Sequence, residues 1–342
     1  MLLQIRQTLS PLTKARNDQL AVQASHVGNP MRLGGLAAII GLVAAVLTQV
    51  FTSSFTIPLL ILASVVPVFF AGLWEDLGHG MSAKGRFYSA ALSSSIAVSL
   101  LGLWVPRGDL PGLNAVMGFV PAGVFVTVFV AAVYCHAVNL IDGMNGLAAT
   151  VVILSAIGLA IIASTAELPE LVCFSILIGA ATFGFQLLNW PVAKLFLGDA
   201  GAYSLGHFLV WIGISLIALE PNVAVPAVLL VLFYPLADTL HTVFRRVIEG
   251  KGVTLPDRMH LHQKIRRGLE VVWISRNRRH ISNPLTTVVL LPFIAAPVLA
   301  GVLFWNQPKA AWIYLLGFLI AFAGANLIVV LLAQRYRKKI KP

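Results

Sequence analysis

Polar and apolar residues along this chain separate into blocks. From Leu33 onward, apolar runs of about 20 residues recur, each long enough to cross a hydrocarbon layer of ~30 Å as a helix. Ten such blocks are predicted, at about 33–52, 56–74, 86–104, 118–138, 147–166, 171–188, 204–220, 223–243, 285–305 and 311–333. Hydrocarbon cannot satisfy a free backbone amide, so the expected spans are helices. The reading is an all-α, polytopic membrane helix bundle of about ten transmembrane helices. The one sizeable polar insertion is 244–284, where GVTLPDRMHLHQKIRRGLE is expected to turn at Pro256 and continue as a short helix. No repeat, low-complexity tract or linker divides the chain. Residues 1–342 are therefore read as one integral membrane domain, with an N-terminal segment 1–32 and a basic tail 334–342.

Composition agrees. Apolar residues make up 58% and charged residues 11%, far from the roughly 25% charged residues of soluble domains. The first thirty residues are polar and basic and lack the apolar core of a cleavable signal peptide. Cys135 and Cys173 fall inside apolar runs and imply no disulfide framework. The net charge of +11 does not call for nucleic acid, because its distribution has a membrane explanation. With both termini placed inside, 22 of the 24 Lys and Arg fall on the inner side, leaving only Arg107 and Lys309 outside. That asymmetry is the positive-inside signature, and it predicts an inner (plasma) membrane protein with cytoplasmic termini.

The 13 acids sort by the same topology. Asp109, Glu167, Glu170 and Glu220 fall outside, and the other nine inside. Five of the nine, Glu75, Asp76, Asp142, Asp199 and Asp238, sit at helix ends or in short loops. A solvated helix end explains any one of them. Several on one face, beside Gly, Asn or His, point to a site. Carboxylates gathered near basic loops suit Mg²⁺-dependent phosphoryl chemistry, since Mg²⁺ takes one or two carboxylates and completes its octahedron with water and phosphate oxygens.

Four blocks carry the pattern. GLWEDLG holds Glu75 and Asp76. In NLIDGMNGLA, Asn139, Asp142 and Asn145 recur every third residue, which on a helical end lines them along one side. In NWPVAKLFLGDAGAYSLG, Asn189 precedes Asp199, which is read as a turn opening onto a helix and suited to metal and phosphate. PDRMHLHQKI sets His260 and His262 beside Arg258 and Lys264. A zinc site there is disfavoured: no cysteine is near, and on a helix the spacing turns the two rings apart.

At these residues the chain resembles the polyprenyl-phosphate N-acetylhexosamine-1-phosphate transferase family, which includes the initiators of O-antigen synthesis. The resemblance runs from about Ser25 to Ile265. It covers SHVGNPMRLGG, similar to the family's Pro-Arg-x-Gly-Gly loop, the acidic pair at 75–76 and the Asn-x-x-Asp-Gly block at 139–143. It also covers Asn189 with Phe-x-Gly-Asp-x-Gly, and the Asp-Arg-x-His-x-His loop.

The resemblance implies that undecaprenyl phosphate attacks the β-phosphorus of a UDP-N-acetyl sugar on the cytoplasmic face, releasing UMP. It implies a Mg²⁺ cofactor (Mn²⁺ as the alternative), held by Asp199 with Asp142. Asp76 would bind or deprotonate the lipid phosphate, and Asn189 would contact the nucleotide or orient Asp199. Arg258, His260 and His262 would grip the pyrophosphate or sugar. Arg32, Glu75, Asn139, Asn145 and Lys194 complete the implied substrate contacts, and a homodimer is expected from the family. Asp238 is either a site member or the partner of Arg245, while His136, His207 and His241 are read as packing residues.

Three departures fall within the motifs, and a fourth is that many relatives begin with another spanning helix ahead of the entry loop, where this chain has no apolar run. Glu75 stands where the family has Asp, Asn145 where many members have a second Asp, and Gln263 where a histidine is usual. They motivate one competing reading, a catalytically silent scaffold of a glycan assembly complex. A transporter is the other, disfavoured because the acids lie at one edge and not at the midplane.

Overall fold

The computed structural model describes residues 32–50, 55–252, 257, 259–275 and 278–340. Among these the secondary structure is helical, without strands. The helices are α1 (Gly34–Val50), α2 (Thr56–Ser64), α3 (Val66–Asp76), α4 (Ala83–Leu101), α5 (Pro111–Gly118), α6 (Val120–Ile141) and α7 (Leu147–Thr165). They continue with α8 (Pro169–Asn189), α9 (Gly198–Leu219), α10 (Val225–Val231), α11 (Phe233–Ile248), α12 (Leu261–Leu269), α13 (Arg279–Leu303) and α14 (Pro308–Ile340). Proline occupies the first turn of α3, α5, α6, α8 and α10. There its missing N–H costs nothing and its fixed φ starts the helix.

Six helices, α6, α7, α8, α9, α13 and α14, are long and apolar enough to cross a membrane, and two bent pairs bring the number to eight at most. The chain is a multi-pass membrane protein, but the ten spans expected from the sequence are not ten straight rods. The pair α2–α3 bends by 44° and α10–α11 by 88°, so the block at 223–243 does not run through as one span.

The sharper bend has a local cause. Pro235 has no N–H for the carbonyl of Val231, four residues earlier. The Ser155 hydroxyl of α7 donates to that carbonyl instead, at 2.9 Å. Beyond the bend α11 is two-faced. Asp238, Thr242 and Arg246 are buried, whereas Leu240, Phe244, Val247 and Ile248 are exposed.

The core forms around α9. In its apolar window 89% of residues are buried, against 17% for α14. Helices α1, α3, α6, α7 and α8 pack on it. At its C-terminal end Arg107 donates to the carbonyls of Ile217 (2.8 Å), Pro221 (2.9 Å) and Val223 (2.7 Å), and to Asp109 at 3.0 Å. A cation at a helix C-terminus also meets the negative end of its dipole. Asp109 accepts the N–H of Val225 at 2.6 Å and Glu170 that of Ile57 at 3.0 Å, so two of the four acids assigned to the outer side cap helix starts.

Arg107→Met should destabilise the bundle by about 2–3 kcal/mol, the scale for hydrogen bonds to a charged group. A lowered melting temperature in detergent, with turnover per folded molecule unchanged, is the expected result.

Candidate active site

The opposite end of α9 carries the acids. The helix begins at Gly198, six residues before the expected span, so Asp199 lies in its first turn and not in a preceding loop. The cause lies in α3. Asp76 accepts the N–H of Asp199 with one carboxylate oxygen and that of Ala200 with the other, both at 2.9 Å. This carboxylate occupies the helix N-terminus, the position that the sequence reading offered to phosphate.

Gly198 takes φ +75, and a Cβ there would stand 2.2 Å from the Arg32 carbonyl and 2.7 Å from Asp76 Oδ2. Only glycine fits such a crossing. The Arg-Leu-Gly-Gly segment is pinned alongside, with Gly34 N–H donating to Phe196 O (2.9 Å) and Gly35 N–H to Leu197 O (2.8 Å).

Asp142 follows the last residue of α6, and its carboxyl feels the Gly198 amide. Desolvation holds its carboxyl well above the usual carboxylate range; Arg32 opposes the shift, and the charges of Asp199 and Asp76 add to it. The Arg32 charge also acts on Asp76 and Asp199, so one guanidinium offsets three carboxylates that lie far apart in sequence.

On the far side Arg86 binds both oxygens of Glu75, at 2.8 and 3.0 Å, and lies 3.9 Å from Asp199. Glu75 and Asp199 lie close enough for their charges to interact, and Tyr203, one turn further along α9, is near Asp199, Arg86 and Asn139. The sequence reading counted Arg86 only as a topology determinant and passed over Tyr203. Neither belongs to a recognisable motif.

Among the described residues no group of three or more His, Cys, Asp or Glu could hold a metal ion unaided. The donor chemistry nonetheless suits Mg²⁺, which needs only one or two carboxylates when phosphate and water supply the rest. Asp76 is the poorer donor for such an ion, because both of its oxygens are taken by amides.

Two amides act otherwise than expected. Because α6 ends at Ile141, Asn145 leaves the helical line of Asn139 and Asp142. Its side chain donates to Pro191 O at 2.8 Å, and its N–H to Asn283 at 2.8 Å. Asn189 accepts the Gly146 N–H at 2.6 Å and donates to Leu195 O at 2.7 Å. Both amides clip the 142–146 loop to the segment after α8. Lys194, in that segment, is exposed.

A second polar cluster joins α11 to α12. His260 and His262 are 2% and 1% exposed, and their rings stack at 5.4 Å with 10° between planes. They do not diverge, because His260 precedes the helix with an extended backbone. His260 Nδ1 lies 2.8 Å from Asp238 Oδ2, and Asp238 Oδ1 accepts the Leu261 N–H at 3.0 Å.

Asp238 is thus the partner of His260. Arg245 pairs instead with Asp257 and Glu249. Burial alone would lower His260, but the Asp238 carboxylate overrides it and the net shift is upward. Burial pushes His262 down to about 3. Of the three histidines read as packing groups, His207 bonds Ser64 at 2.8 Å inside the core, His241 meets Phe322, and His136 lies between Phe87 and Tyr203. Arg258 and the expected turn at Pro256 lie outside the described residues.

The multi-pass helical bundle gathers carboxylates and arginines at the start of its most buried helix, an arrangement suited to phosphoryl transfer. Residues 57–217 match the family model of glycosyl transferase family 4. The chain is 29% identical over 252 residues to a probable undecaprenyl-phosphate N-acetylglucosaminyl 1-phosphate transferase of Bacillus subtilis, covering 72% of this chain and 69% of that protein. It is 25% identical over 350 residues to the decaprenyl-phosphate N-acetylglucosaminephosphotransferase of Mycobacterium leprae, covering 91% and 82%. To the undecaprenyl-phosphate alpha-N-acetylglucosaminyl 1-phosphate transferase of Escherichia coli K12 it is 29% identical over 262 residues, covering 74% and 63%.

Proposed function

We propose that this protein transfers an N-acetylhexosamine-1-phosphate from a UDP-sugar to undecaprenyl phosphate or a similar polyprenyl phosphate. The convergence of Asp142, Asp199 and Arg32 at the start of α9 carries this reading, in a chain related to enzymes named for that reaction. A lipid-phosphate oxygen forms a bond to the β-phosphorus. The bond to the α-phosphate oxygen breaks, and its electron pair leaves with UMP. One phosphoanhydride replaces another, so the step needs in-line positioning and charge neutralisation more than covalent catalysis.

Asp142 and Asp199 would hold Mg²⁺, which supplies neutralisation of the diphosphate charge. Arg32 and Arg86 offset the charge of the acids and would contact phosphate oxygens of the bound substrates. A phosphate monoester has its second pKa near 6, so the attacking dianion needs no strong base. That agrees with Asp76 spending both oxygens on backbone amides. The Asp238-oriented His260 is suited to donate a hydrogen bond to the pyrophosphate or sugar.

The departures at positions 75 and 145 have structural uses that favour an enzyme over a silent scaffold: Glu75 engages Arg86, and the Asn145 amide reaches Pro191. The Lys and Arg asymmetry supports an inner-membrane location with a cytoplasmic active end and cytoplasmic termini. The purified protein should be incubated with Mg²⁺, undecaprenyl phosphate and a panel of radiolabelled UDP-N-acetyl sugars, UDP-GlcNAc first. Labelled lipid with equimolar UMP is the expected result, and no labelled lipid from any of them would reject the reading.

A further inference from the structure

Helix α14 lies outside the stretch matched by the family and is largely exposed on the flank of the bundle. Its buried residues Ala311, Leu315, Phe322 and Asn326 fall on one stripe. An amide in such a stripe is costly without partners. Asn326, 2% exposed, has two: its Nδ2 donates to Phe322 O at 3.1 Å, and its Oδ1 accepts from Lys264 Nζ at 2.7 Å.

Lys264 is itself buried, on the first turn of α12, and its backbone N–H donates to the His260 carbonyl at 3.0 Å. One turn back along the stripe, Phe322 sets its ring edge against Tyr234 and His241 of α11, the helix that carries Asp238. Helix α14 therefore touches both carriers of the Asp238–His260 pair, by a ring contact to one and a hydrogen bond to the other. Burial lowers the Lys264 ammonium, and the Asp238, Asp257 and Glu249 carboxylates oppose that shift; Asn326 Oδ1 is the hydrogen-bond acceptor that fixes the direction of its Nζ, at 2.7 Å.

We propose that Asn326 is a positioning residue. Through Lys264 it holds the His260 backbone in register with Asp238, which makes α14 part of the site's framework and not a membrane anchor alone. Only the turnover arm of the test rests on the transferase reading.

Full-length Asn326→Leu and Asn326→Asp should be purified and treated with diethylpyrocarbonate. Modification of His260 and His262 is then read by peptide mass spectrometry, with buried His207 as internal control. Asn326→Leu should raise modification of His260 and His262 at least fivefold and leave His207 unchanged. It should lower kcat at least tenfold, with KM for the sugar nucleotide within threefold. Asn326→Asp keeps an oxygen for Lys264 and should restore both values to within threefold of wild type.

Unchanged histidine reactivity in Asn326→Leu would overturn the proposal. So would an equal rise at His207, an unchanged kcat, or an Asp variant as impaired as the Leu variant. Should Asn326→Leu fail to fold, Lys264→Met removes the same bond from the other side under the same expectations. A wild type without turnover defeats the transferase reading, while histidine reactivity still decides the positioning.

Discussion

Asp199→Asn is expected to lower transfer at least about 100-fold while the protein still folds. The helix start depends on the backbone N–H of residue 199, which Asp76 accepts, so the substitution leaves that contact in place. What it removes is the carboxylate facing Glu75 and Arg86. Removal of one preorganised electrostatic contact commonly costs 10²–10³ in kcat. Turnover measured across a Mg²⁺ titration, beside a melting curve within a few degrees of wild type, checks the prediction. Turnover within threefold of wild type would remove Asp199 from the site.

Asp238→Asn is expected to destabilise the protein by about 3 kcal/mol. That is the low end for breaking a buried charged pair, because His260 can release its proton when the anion is gone. The change should also reshape the pH dependence of melting. His260 sits above its ordinary value of about 6.5, so its contribution is full below that pH and is lost as pH rises through the folded value. His262 is held near 3, so its contribution is present above about 6.5 and is lost as pH falls toward 3.

The groups facing the pair are Asp238, Asp257, Arg245 and Arg266. The two trends oppose, and wild-type stability should peak close to the ordinary histidine pKa. In Asp238→Asn the decline on the alkaline side should flatten. A variant that keeps that decline would show that Asp238 does not set the His260 proton.

The helices were legible because each apolar block declares itself without reference to the others. The acids were legible for a related reason: Gly-Asp and Asn-x-x-Asp-Gly are local patterns. What the sequence could not state was pairing. Asp76 meets the amide of Asp199 across 123 positions, and no feature near either residue signals the other. The Gly-Asp-Ala-Gly composition reads as a turn, and it becomes helix only because a distant carboxylate satisfies the free amides.

Pro235 lies in the middle of the apolar block at 223–243, where apolar composition alone does not separate one span from two. Val231 with its hydroxyl donor Ser155 settles which it is. For the histidines, the divergence of rings two apart on a helix does not hold, since helical geometry begins at Leu261 and His260 lies before it.

Helix α9 is held at both ends, by Asp76 at its first amides and by Arg107 at its last carbonyls. At ~1.5 Å per residue its 22 residues form a rod of ~33 Å with no slack at either terminus. A rod fastened in this way cannot shorten, and the helices packed around it inherit its length. Where the surrounding bilayer is thinner or thicker than this span, the bundle tilts as a unit or the lipid adjusts, and the spacing between the two ends of α9 stays fixed.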